Sequence, residues 1–567
     1  MENETLPEKV DVLIVGSGVA GLATAISAKY FGAHPIVIEK SEYYGGSSAL
    51  SGGAIWCPAN HLMCEAGMED SIEQAKSYLR HECGELFNEE LVDSFLRNAP
   101  EAIRFFHEQT HVKLKHRPFS PDYHPNVDGA LQGGRVLDPE EFDGRLLMDR
   151  LHQLRPPIKE FTVLNGLQLG RQDLVHFTRM TRNFQSLLWV VKTVMRYYYD
   201  IARYGRYTKI KMGAALVARL AYTAFQQHIP ILTRHHLLRI NDSTEGIVSV
   251  QIQTPMGEKE IFVSKGVVLA GGGYPHNQAK KKETYRHLQQ GFEHYSMAPC
   301  SSTGDTIQEA ERIGAKFLST NLNPVSWTPI SKIPQREGYR YFPHLFMDRA
   351  KPGVIAISSL GKRFVNEAVS YHDFVQEMLR NCQEEGSTYC WLVCDGPALR
   401  KYGLGAVPCF PGRVSPYIES GYLVEANSIR ELAEKLKINY DSLKATIDCY
   451  NEQAKKGVDL DFGKGGDSYQ LALGDAENKP NACLRPLRNK LYAVQLFPGD
   501  IGTTMGLDVN AKGQVKNGLG EVIPKLYAVG NDANSVMSGS YPGAGITLGP
   551  ALTFGYVVGK SLGSGEI

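Results

Sequence analysis

Three glycines and one carboxylate near the start of the chain have the types and spacing needed to bind a phosphate-bearing ligand. A short Val- and Ile-rich run leads into Gly16-Ser-Gly18-Val-Ala-Gly21, and a helical pattern follows. In such a unit the first glycine permits a tight turn, the second lets backbone approach a pyrophosphate, and the third lets the helix pack on the strand. A second apolar run ends in Glu39, whose carboxylate can accept from ribose hydroxyls. The pattern predicts a dinucleotide site.

A second loop of small residues follows directly on the acid. Residues 45–53 read Gly-Gly-Ser-Ser-Ala-Leu-Ser-Gly-Gly, where a nicotinamide enzyme normally continues into another helix. The loop resembles the flavin-binding loop of the fumarate reductase and succinate dehydrogenase flavoprotein superfamily, which runs along the pyrophosphate and the flavin ring. Members that bind FAD covalently use a histidine in this loop, and residues 45–53 contain none. The resemblance therefore implies FAD, held non-covalently.

The far end of the chain returns to the cofactor. Residues 526–531 predict a strand that runs into a polar turn, and residues 538–555 are rich in Gly, Pro and Thr before a helical tail. In the superfamily these parts reach the ribityl chain and the flavin pyrimidine edge, where a helix dipole favours the charge that collects on reduction. Residues 266–273 predict another strand entering a glycine turn, so the cofactor domain is expected to be discontinuous. The residues predicted to bind FAD are Gly16, Ser17, Gly18, Ala20, Gly21, Glu39, Lys40, Gly45, Gly46, Ser47, Ser48, Ser51, Gly52, Gly53, Ala270, Gly271, Gly272, Gly530, Asn531, Gly545, Thr547 and Leu548.

Composition sets the broad class. A chain of 567 residues is too long for one compact core, and 43% hydrophobic with 22% charged residues is typical of globular proteins. A formal net charge of zero gives no reason to expect a nucleic-acid partner. The ten cysteines are scattered, which indicates no metal site and favours a reducing compartment. The acidic N-terminus matches no secretory signal, so we expect a cytoplasmic protein.

These observations predict an α/β fold, with a discontinuous Rossmann-like FAD-binding domain and an inserted α+β catalytic domain. We assign residues 1–290 to the first part of the FAD-binding domain, 291–488 to the catalytic domain and 489–567 to the second part of the FAD-binding domain. Because pockets with few polar groups commonly form between domains, the active site is expected where the two meet.

The segment Tyr541-Pro-Gly-Ala-Gly545 indicates a more specific family. Together with residues 45–56 it resembles the 3-ketosteroid Δ1-dehydrogenases (3-oxosteroid 1-dehydrogenases), and the resemblance covers nearly the whole chain. Two further tyrosines match that family's pattern, Tyr123 in Phe-Ser-Pro-Asp-Tyr-His-Pro and Tyr371 in Asn-Glu-Ala-Val-Ser-Tyr. The resemblance implies a 3-ketosteroid substrate whose ring A is surrounded by Tyr123, Tyr371, Tyr541 and Gly545.

The reaction of that family can be matched to these residues. A C1–C2 double bond beside a C3 ketone requires loss of a proton from C2 and of a hydride from C1, which FAD accepts. Tyr541 and the N–H of Gly545 suit an oxyanion site that stabilises the C3 oxygen as an enolate forms. Tyr371 suits the base, but an ordinary tyrosine has a pKa of about 10 and needs activation near neutrality. A hydrogen bond from Tyr123 and the electrostatics of the pocket are the expected sources of that activation.

Three alternatives remain open at this point. A 3-ketosteroid Δ4-dehydrogenase also uses FAD and tyrosines, and the Pro-Gly after Tyr541 favours Δ1 without deciding the matter. A fumarate-reductase-like enzyme acting on another enone or acid needs Arg and His to hold carboxylates. The chain offers Phe342, Leu345 and Phe346 in that region, and the widely shared setting of Arg363 favours a structural role. A flavin-binding redox partner or sensor without turnover is the third alternative.

Residues 150–225 depart from the shorter family members and contain an amphipathic pattern. Placed on a helix, residues 184–202 bring most of their apolar side chains into one sector, bordered by cations. The apolar residues are Phe184, Leu187, Leu188, Val191, Val194, Met195, Tyr198 and Ile201; the stripe beside them is Lys192, Arg196, Tyr199 and Arg203; and the flanking cations are Arg179, Arg182, Arg206, Lys209 and Lys211.

Such a face is typical of an interfacial helix at an anionic membrane, and the break at Lys192 prevents it from spanning a bilayer. We therefore predict peripheral attachment through residues 180–211 to the inner face of the cell membrane, where a quinone could serve as electron acceptor. The alternative is a helix packed on the protein's own core with a solvated basic edge.

Overall fold

The first of two large sheets forms around the strand–turn–helix unit at the start of the chain. In this computed structural model, which describes residues 6–164, 166–170, 173, 175–177, 180, 183–346, 348–488 and 490–565, that sheet has eight strands. Its strands are Lys9–Val15, Pro35–Glu39, Ile231–Thr233, His236–Ser243, Gly246–Thr254, Gly257–Leu269, Gln514–Lys516 and Val522–Ala528. Lys9–Val15 pairs in parallel with Pro35–Glu39 and with Gly257–Leu269. Its centre is fully buried, as is usual for parallel strands covered on both faces.

Helices from the two ends of the chain pack against each other on this sheet. Val19–Tyr30 lies along the C-terminal helix, Leu548–Ser564, and small residues allow the two backbones to approach closely. A Cβ atom on Gly559 would lie 2.5 Å from the carbonyl oxygen of Thr24. The cofactor domain is therefore discontinuous, as predicted. The other helices of this half are His61–Glu65, Ile72–Cys83, Glu89–Gln109, Phe184–Tyr204 and Met212–Gln226, with 3₁₀ turns at Ser47–Leu50, Gly84–Leu86, Gly144–Gln153, Lys159–Phe161 and Gly530–Asp532.

The second sheet has seven strands and forms the inserted half. Its strands are Tyr295–Ser296, Val325–Pro334, Tyr339–Pro343, Val354–Ile357, Cys390–Asp395, Val424–Ala426 and Leu491–Thr503. Its helices and those beside it are Gln278–Thr284, Arg286–Gln289, Asp305–Arg312, Tyr371–Glu385, Gly396–Tyr402, Ser415–Glu419, Ile429–Leu436, Tyr440–Lys456 and Ser468–Leu473. Short strands elsewhere are Ile55–Trp56, Leu114–His116, Val136–Pro139, Phe142–Asp143, Thr162–Val163, Leu167–Gln168, Lys209–Ile210, Phe317–Leu318 and Gly506–Leu507.

One strand lies on the other side of the boundary that the sequence indicated. Leu491–Thr503 occupies the centre of the second sheet, where it pairs antiparallel with Val325–Pro334 and with Cys390–Asp395. A boundary after residue 488 separates this strand from its sheet, so the second sheet extends to residue 503. An apolar strand pattern does not specify which sheet the strand joins, because that depends on contacts with distant residues.

The amphipathic pattern forms a helix, Phe184–Tyr204, which we call the surface helix. The side chain of Asn183 caps its start, and Gly205 ends it in a left-handed conformation. Its apolar sector faces outward: Phe184 is 72% exposed and Met195 67%. The opposite side is buried and includes Tyr197. Most of the apolar sector is therefore not packed on the protein's own core, although Val194 packs against a small buried cluster that includes Tyr197.

The basic border of that sector is smaller than expected. Arg206 donates to the carbonyl oxygens of Leu151 and Leu154, and buried Lys211 pairs with Glu141 at 2.8 Å. Lys209 also pairs with Glu141, whereas Lys192 and Arg203 are exposed. Arg179 and Arg182 lie outside the described residues. No helix in the described part of the chain is long and apolar enough to cross a membrane.

Candidate active site

The glycine turn after the first strand has the geometry that its sequence predicts. Gly16 has φ +114°, donates its N–H to the carbonyl of Ile38 at 2.8 Å, and has no space for a side chain. A Cβ atom there would lie 2.1 Å from the carbonyl oxygen of Ala270. At Gly21 a Cβ atom would lie 2.0 Å from the carbonyl oxygen of Gly16. Gly16 and Gly21 are therefore needed where backbones pack closely, whereas the turn is open at Gly18.

Glu39 ends the second strand beside this turn. Its carboxylate accepts from the N–H of Ser17 at 3.2 Å, from the hydroxyl of Ser17 at 2.7 Å and from the N–H of Ser41 at 2.9 Å. The next residue, Lys40, pairs with Asp305 at 2.5 Å, across to the first turn of a helix in the inserted half. The acid is thus fixed at the turn, and an ion pair joins the two halves next to it.

A single cavity of about 1530 Å³ runs along these loops. The predicted FAD-binding residues that line it are Gly16, Ser17, Gly18, Ala20, Glu39, Lys40, Gly46, Ser47, Ser48, Ser51, Gly52, Gly53, Ala270, Gly271, Gly272, Gly530, Asn531, Gly545, Thr547 and Leu548. Gly21 and Gly45 lie behind its wall, where Gly45 donates to the hydroxyl of Ser17 at 3.1 Å. Ligand pockets usually measure about 300–1,000 Å³, so this cavity has room for a cofactor and a second molecule.

Asp532 holds the turns at the far end of this cavity together. Its buried carboxylate accepts from the N–H of Gly271 at 2.6 Å and from the N–H of Gly273 at 2.8 Å. The C-terminal helix begins at Leu548, with Thr547 before it, and both residues line the cavity. The final strand, the glycine turn and a helix N-terminus thus meet at one wall.

The three predicted tyrosines meet at one end of the same cavity. The hydroxyls of Tyr123 and Tyr371 are 3.3 Å apart, and all three rings are buried. The ring of Tyr541 lies 5.3 Å from that of Tyr371 and 5.7 Å from that of Tyr123, measured between centroids. Gly545 also lines this cavity, with φ +94°. We call this part the tyrosine end.

Local contacts fix each of these residues. The N–H of Tyr123 donates to the carbonyl of Pro542 at 2.9 Å, which joins its loop to the segment of Tyr541. Tyr371 is the first residue of its helix, and the hydroxyl of Ser370 caps that helix. A Cβ atom on Gly545 would lie 2.6 Å from the backbone carbonyl of Ala54, so the position requires glycine.

Burial raises the pKa of all three phenols. The pKa of Tyr541 rises to about 12, with hydrogen bonds to Tyr371 and Thr547 opposing the rise. For Tyr371 and Tyr123 burial, together with the neighbouring tyrosines, raises the pKa well above the ordinary value. The protein's own groups thus keep Tyr371 a neutral phenol at pH 7, in contrast to the activation expected from the pocket. It can accept a proton only if its own hydroxyl proton moves on.

Two further residues at the tyrosine end were missed by the sequence analysis. The ring of Tyr469 lies 4.7 Å from that of Tyr123, and its buried hydroxyl has no hydrogen-bond partner within the described part of the chain. His372 stacks on Tyr541 at 5.5 Å. Neither lies in a distinctive motif, although His372 is adjacent to Tyr371 in the chain.

Apolar side chains complete this end, as expected. Phe342, Leu345 and Phe346 line the cavity, and the ring of Phe346 lies 5.5 Å from that of Tyr371. Arg363 is buried in ion pairs with Glu367 and Asp459, which fits the structural role that its setting favoured.

The comparisons with known proteins agree with this geometry. A family model described as an FAD binding domain matches residues 11–548. The chain belongs to this family of flavoproteins. It is 34% identical over 99% of its length to a 4-oxocyclohex-2-ene-1-carboxylate 5-dehydrogenase of Sinomonas cyclohexanicum, and covers 94% of that protein. It is 31% identical to a 3-oxosteroid 1-dehydrogenase of Mycolicibacterium smegmatis, over 97% of this chain and 96% of the relative.

A solved structure matches over nearly the whole chain. It is the 3-ketosteroid Δ1-dehydrogenase from Sterolibacterium denitrificans in complex with 1,4-androstadiene-3,17-dione, with a TM-score of 0.89 and 29% identity. The match covers 99% of this chain and 100% of the other. The chain is thus an FAD-dependent oxidoreductase of the group that contains the 3-oxosteroid 1-dehydrogenases, as the resemblance implied.

The residues at the glycine turns fit FAD. Gly18, Ser48 and Glu39 line the same cavity, where the open turn and the small-residue loop would hold the pyrophosphate and the carboxylate would hold the ribose. The start of the C-terminal helix at Leu548 would face the flavin ring, next to the tyrosine end.

Proposed function

We propose that this flavoprotein introduces the C1–C2 double bond into 3-ketosteroids. The observation that carries the proposal is the meeting of Tyr123, Tyr371, Tyr541 and Gly545 at the apolar end of a cavity whose other end suits FAD. Support comes from the steroid enzymes that resemble the chain along its full length, one of them solved with a 1,4-diene steroid bound.

The residues divide the chemistry between them. The hydroxyl of Tyr541 and the N–H of Gly545 donate to the C3 oxygen and stabilise it as an enolate forms, which makes the C2 proton acidic. Tyr371 takes that proton, and Tyr123 accepts the hydroxyl proton that Tyr371 gives up. FAD, when bound, accepts the hydride from C1. The surrounding apolar side chains exclude water from the ring.

A smaller carboxylated ring is the second candidate, because two full-length relatives are named for such substrates. A carboxylate would need a free cation to hold it. Four cations of the cavity lining already bind carboxylates of the protein. Lys40 binds Asp305 and Arg117 binds Asp138, both at 2.5 Å. Arg340 binds Glu160 and Lys211 binds Glu141, both at 2.8 Å. Lys115 and Lys159 are exposed. This pairing favours a neutral, larger substrate.

Product analysis tests the proposal. The purified protein is incubated with androst-4-ene-3,17-dione and a dye acceptor, and the products are identified by mass spectrometry and NMR. A 1,4-diene, lost in Tyr371→Phe, is the expected result. In separate incubations, a 4-ene from the 5α-saturated analogue without Δ1 product would indicate a Δ4 enzyme, and turnover of 4-oxocyclohex-2-ene-1-carboxylate alone would indicate the carboxylated ring. The Δ4 alternative has less support, because the steroid enzymes that match at 31% and 29% identity are named for the 1-double bond, whereas a Δ4-dehydrogenase matches at 19% identity and shows likeness of fold alone.

We also propose peripheral membrane attachment through the surface helix, with a membrane quinone as electron acceptor. Leu188 and Val191 are 53% and 46% exposed on the same sector, and Lys192 and Arg203 provide cations beside it. An apolar face of this kind gains free energy in the headgroup region of a bilayer. A steroid substrate and a quinone would both be concentrated in that bilayer.

Vesicle sedimentation tests the attachment. We expect the holoprotein to sediment with vesicles containing anionic lipid, and the double variant Leu188→Gln/Met195→Gln to stay in the supernatant with unchanged turnover of dissolved steroid. Val248→Gln/Phe262→Gln, which removes exposed apolar side chains elsewhere, is the control. Sedimentation that is equal for all three proteins would contradict the attachment. Flavin reoxidation by menaquinone in the same vesicles tests the acceptor.

A further inference from the structure

A second cavity of about 740 Å³ lies on the far side of the tyrosines. Tyr123 and Tyr469 line both cavities, so their rings form the wall between them. The second cavity is bordered by the helices Ile72–Cys83 and Tyr371–Glu385. Asp373 on the latter helix lines the second cavity, whereas Tyr371, two residues earlier, lines the first.

An ion triad lies in this second cavity. His124, the residue after Tyr123, binds Glu82 at 2.8 Å through Nδ1 and Asp373 at 3.0 Å through Nε2. Glu82 is nearly buried, while the side chain of His124 is 38% exposed and therefore reaches solvent. Although burial opposes the charge, the two carboxylates raise the pKa of His124 to about 10. The triad thus holds a proton at neutral pH, with a carboxylate on each side to exchange it.

The proposed reaction leaves one proton in the buried cavity at every turnover. The C2–H bond breaks and its electron pair becomes the C1–C2 π bond, while the C1–H pair leaves as hydride. Tyr371 is a neutral phenol, so the proton it takes from C2 displaces its own hydroxyl proton. The hydroxyl of Tyr123 donates to that of Tyr371 at 3.3 Å, and rotation of both hydroxyls lets Tyr123 receive this proton instead. The ring of Tyr123 borders the second cavity.

We propose that this proton leaves the active site through Tyr123 into the second cavity, where His124, held between Glu82 and Asp373, passes it to solvent. The inference rests on the proposed function. Tyr371, Tyr123 and the cavity water each give one proton for each they receive. Because both ring N–H groups of His124 already donate to carboxylates, the incoming proton enters the triad at one carboxylate, Glu82 or Asp373. His124 then gives a proton to the other carboxylate, which releases it to solvent, and regains one from the first, so that one proton reaches bulk water and no group ends with a changed charge.

Other charged groups also border this cavity. His81, Glu377 and Asp467 line it, and Asp467 caps a short helix by accepting from the N–H of Gln470 at 2.8 Å. A purely structural role for the triad, tying two helices together, would predict a change in stability without any change in the timing of proton release. The two roles are therefore separable by measurement.

The test is a single turnover of the anaerobic holoenzyme with androst-4-ene-3,17-dione in weak buffer, with a pH indicator. Flavin absorbance reports hydride loss, and the indicator reports the proton released. In the wild type both signals should have the same rate. In His124→Gln we expect proton release to lag flavin reduction by about tenfold or more, with the lag removed by added imidazole. His81→Gln, in the same cavity but outside the triad, is the control and should show no lag.

Two results would overturn the proposal. One is proton release in His124→Gln that still coincides with flavin reduction. The other is slowing of both signals by the same factor without rescue by imidazole, which would assign the triad a structural role. Failure of the proposed function is seen separately, as absence of flavin reduction by the steroid in the wild type. In that case the single turnover is repeated with the ring ketone that product analysis shows to be the substrate, because oxidation of a C–C bond by hydride transfer to the flavin also releases one proton.

Discussion

Replacing Tyr541 by phenylalanine removes one hydroxyl and leaves the ring in place. The ring stacks between Tyr123, at 5.7 Å, and His372, at 5.5 Å, so packing is retained in the variant. If the hydroxyl donates to the C3 oxygen, its loss should lower the rate of flavin reduction about 100- to 1,000-fold, or about 3–4 kcal/mol in the barrier.

The assay is anaerobic stopped-flow reduction of the flavin by androst-4-ene-3,17-dione, together with FAD content and Tm. Tyr285→Phe is the matched control, because its ring is fully buried outside the cavity and its hydroxyl has no partner within the described part of the chain. We expect FAD content to be unchanged in both variants, and the rate to change less than about twofold in the control.

A loss of less than about tenfold in Tyr541→Phe, with FAD retained, would refute the oxyanion role. A similar loss in Tyr285→Phe would mean that removal of any buried tyrosine hydroxyl disturbs the enzyme. Only a large rate loss confined to Tyr541→Phe supports the reasoning.

Three further predictions concern residues around the cavity and the tyrosine end. Gly545→Ala should lower Tm and FAD content strongly, because its Cβ would lie 2.6 Å from a backbone carbonyl. Gly67→Ala is the control: Gly67 also has a positive φ, +74°, but open space around it, so the variant should lose only about 1 kcal/mol of stability. Equal losses in the two variants would contradict the steric argument. Asp305→Asn breaks the ion pair with Lys40 beside the cofactor cavity. Fluorescence titrations at low salt should show FAD binding weakened about threefold to tenfold, and the difference from the wild type should be smaller at high salt. Burial lowers the pKa of His372 from 6.5 to about 4. As the pH drops from 6.5 to 4, the unfolded chain binds a proton at this histidine before the folded protein does, so the free energy of unfolding should fall by up to about 3 kcal/mol. Urea unfolding of His372→Gln should show a smaller fall over the same pH range.

Short-range patterns in the sequence were enough to specify the cofactor half. The glycine turn at Gly16, the acid at Glu39 and the loop at residues 45–53 depend on backbone geometry within a few residues, and most of them line the predicted cavity. The surface helix followed from its periodicity for the same reason. The proposed catalytic tyrosines were recognised only through family resemblance, since one tyrosine among 28 has no distinctive local signal.

Tertiary structure decided the features that depend on residues far apart in the chain. Tyr123 and Tyr371 are 248 positions apart, and only the fold brings their hydroxyls together, buries them and thereby raises their pKa. Likewise, the sequence could not place the strand Leu491–Thr503 in the second sheet, pair Lys211 with Glu141 or bring Tyr469 against Tyr123. Local sequence determines which elements form and what their turns can bind, because those properties arise within a few residues. Which faces stay exposed, which charges are paired and which phenols are buried depends on long-range packing.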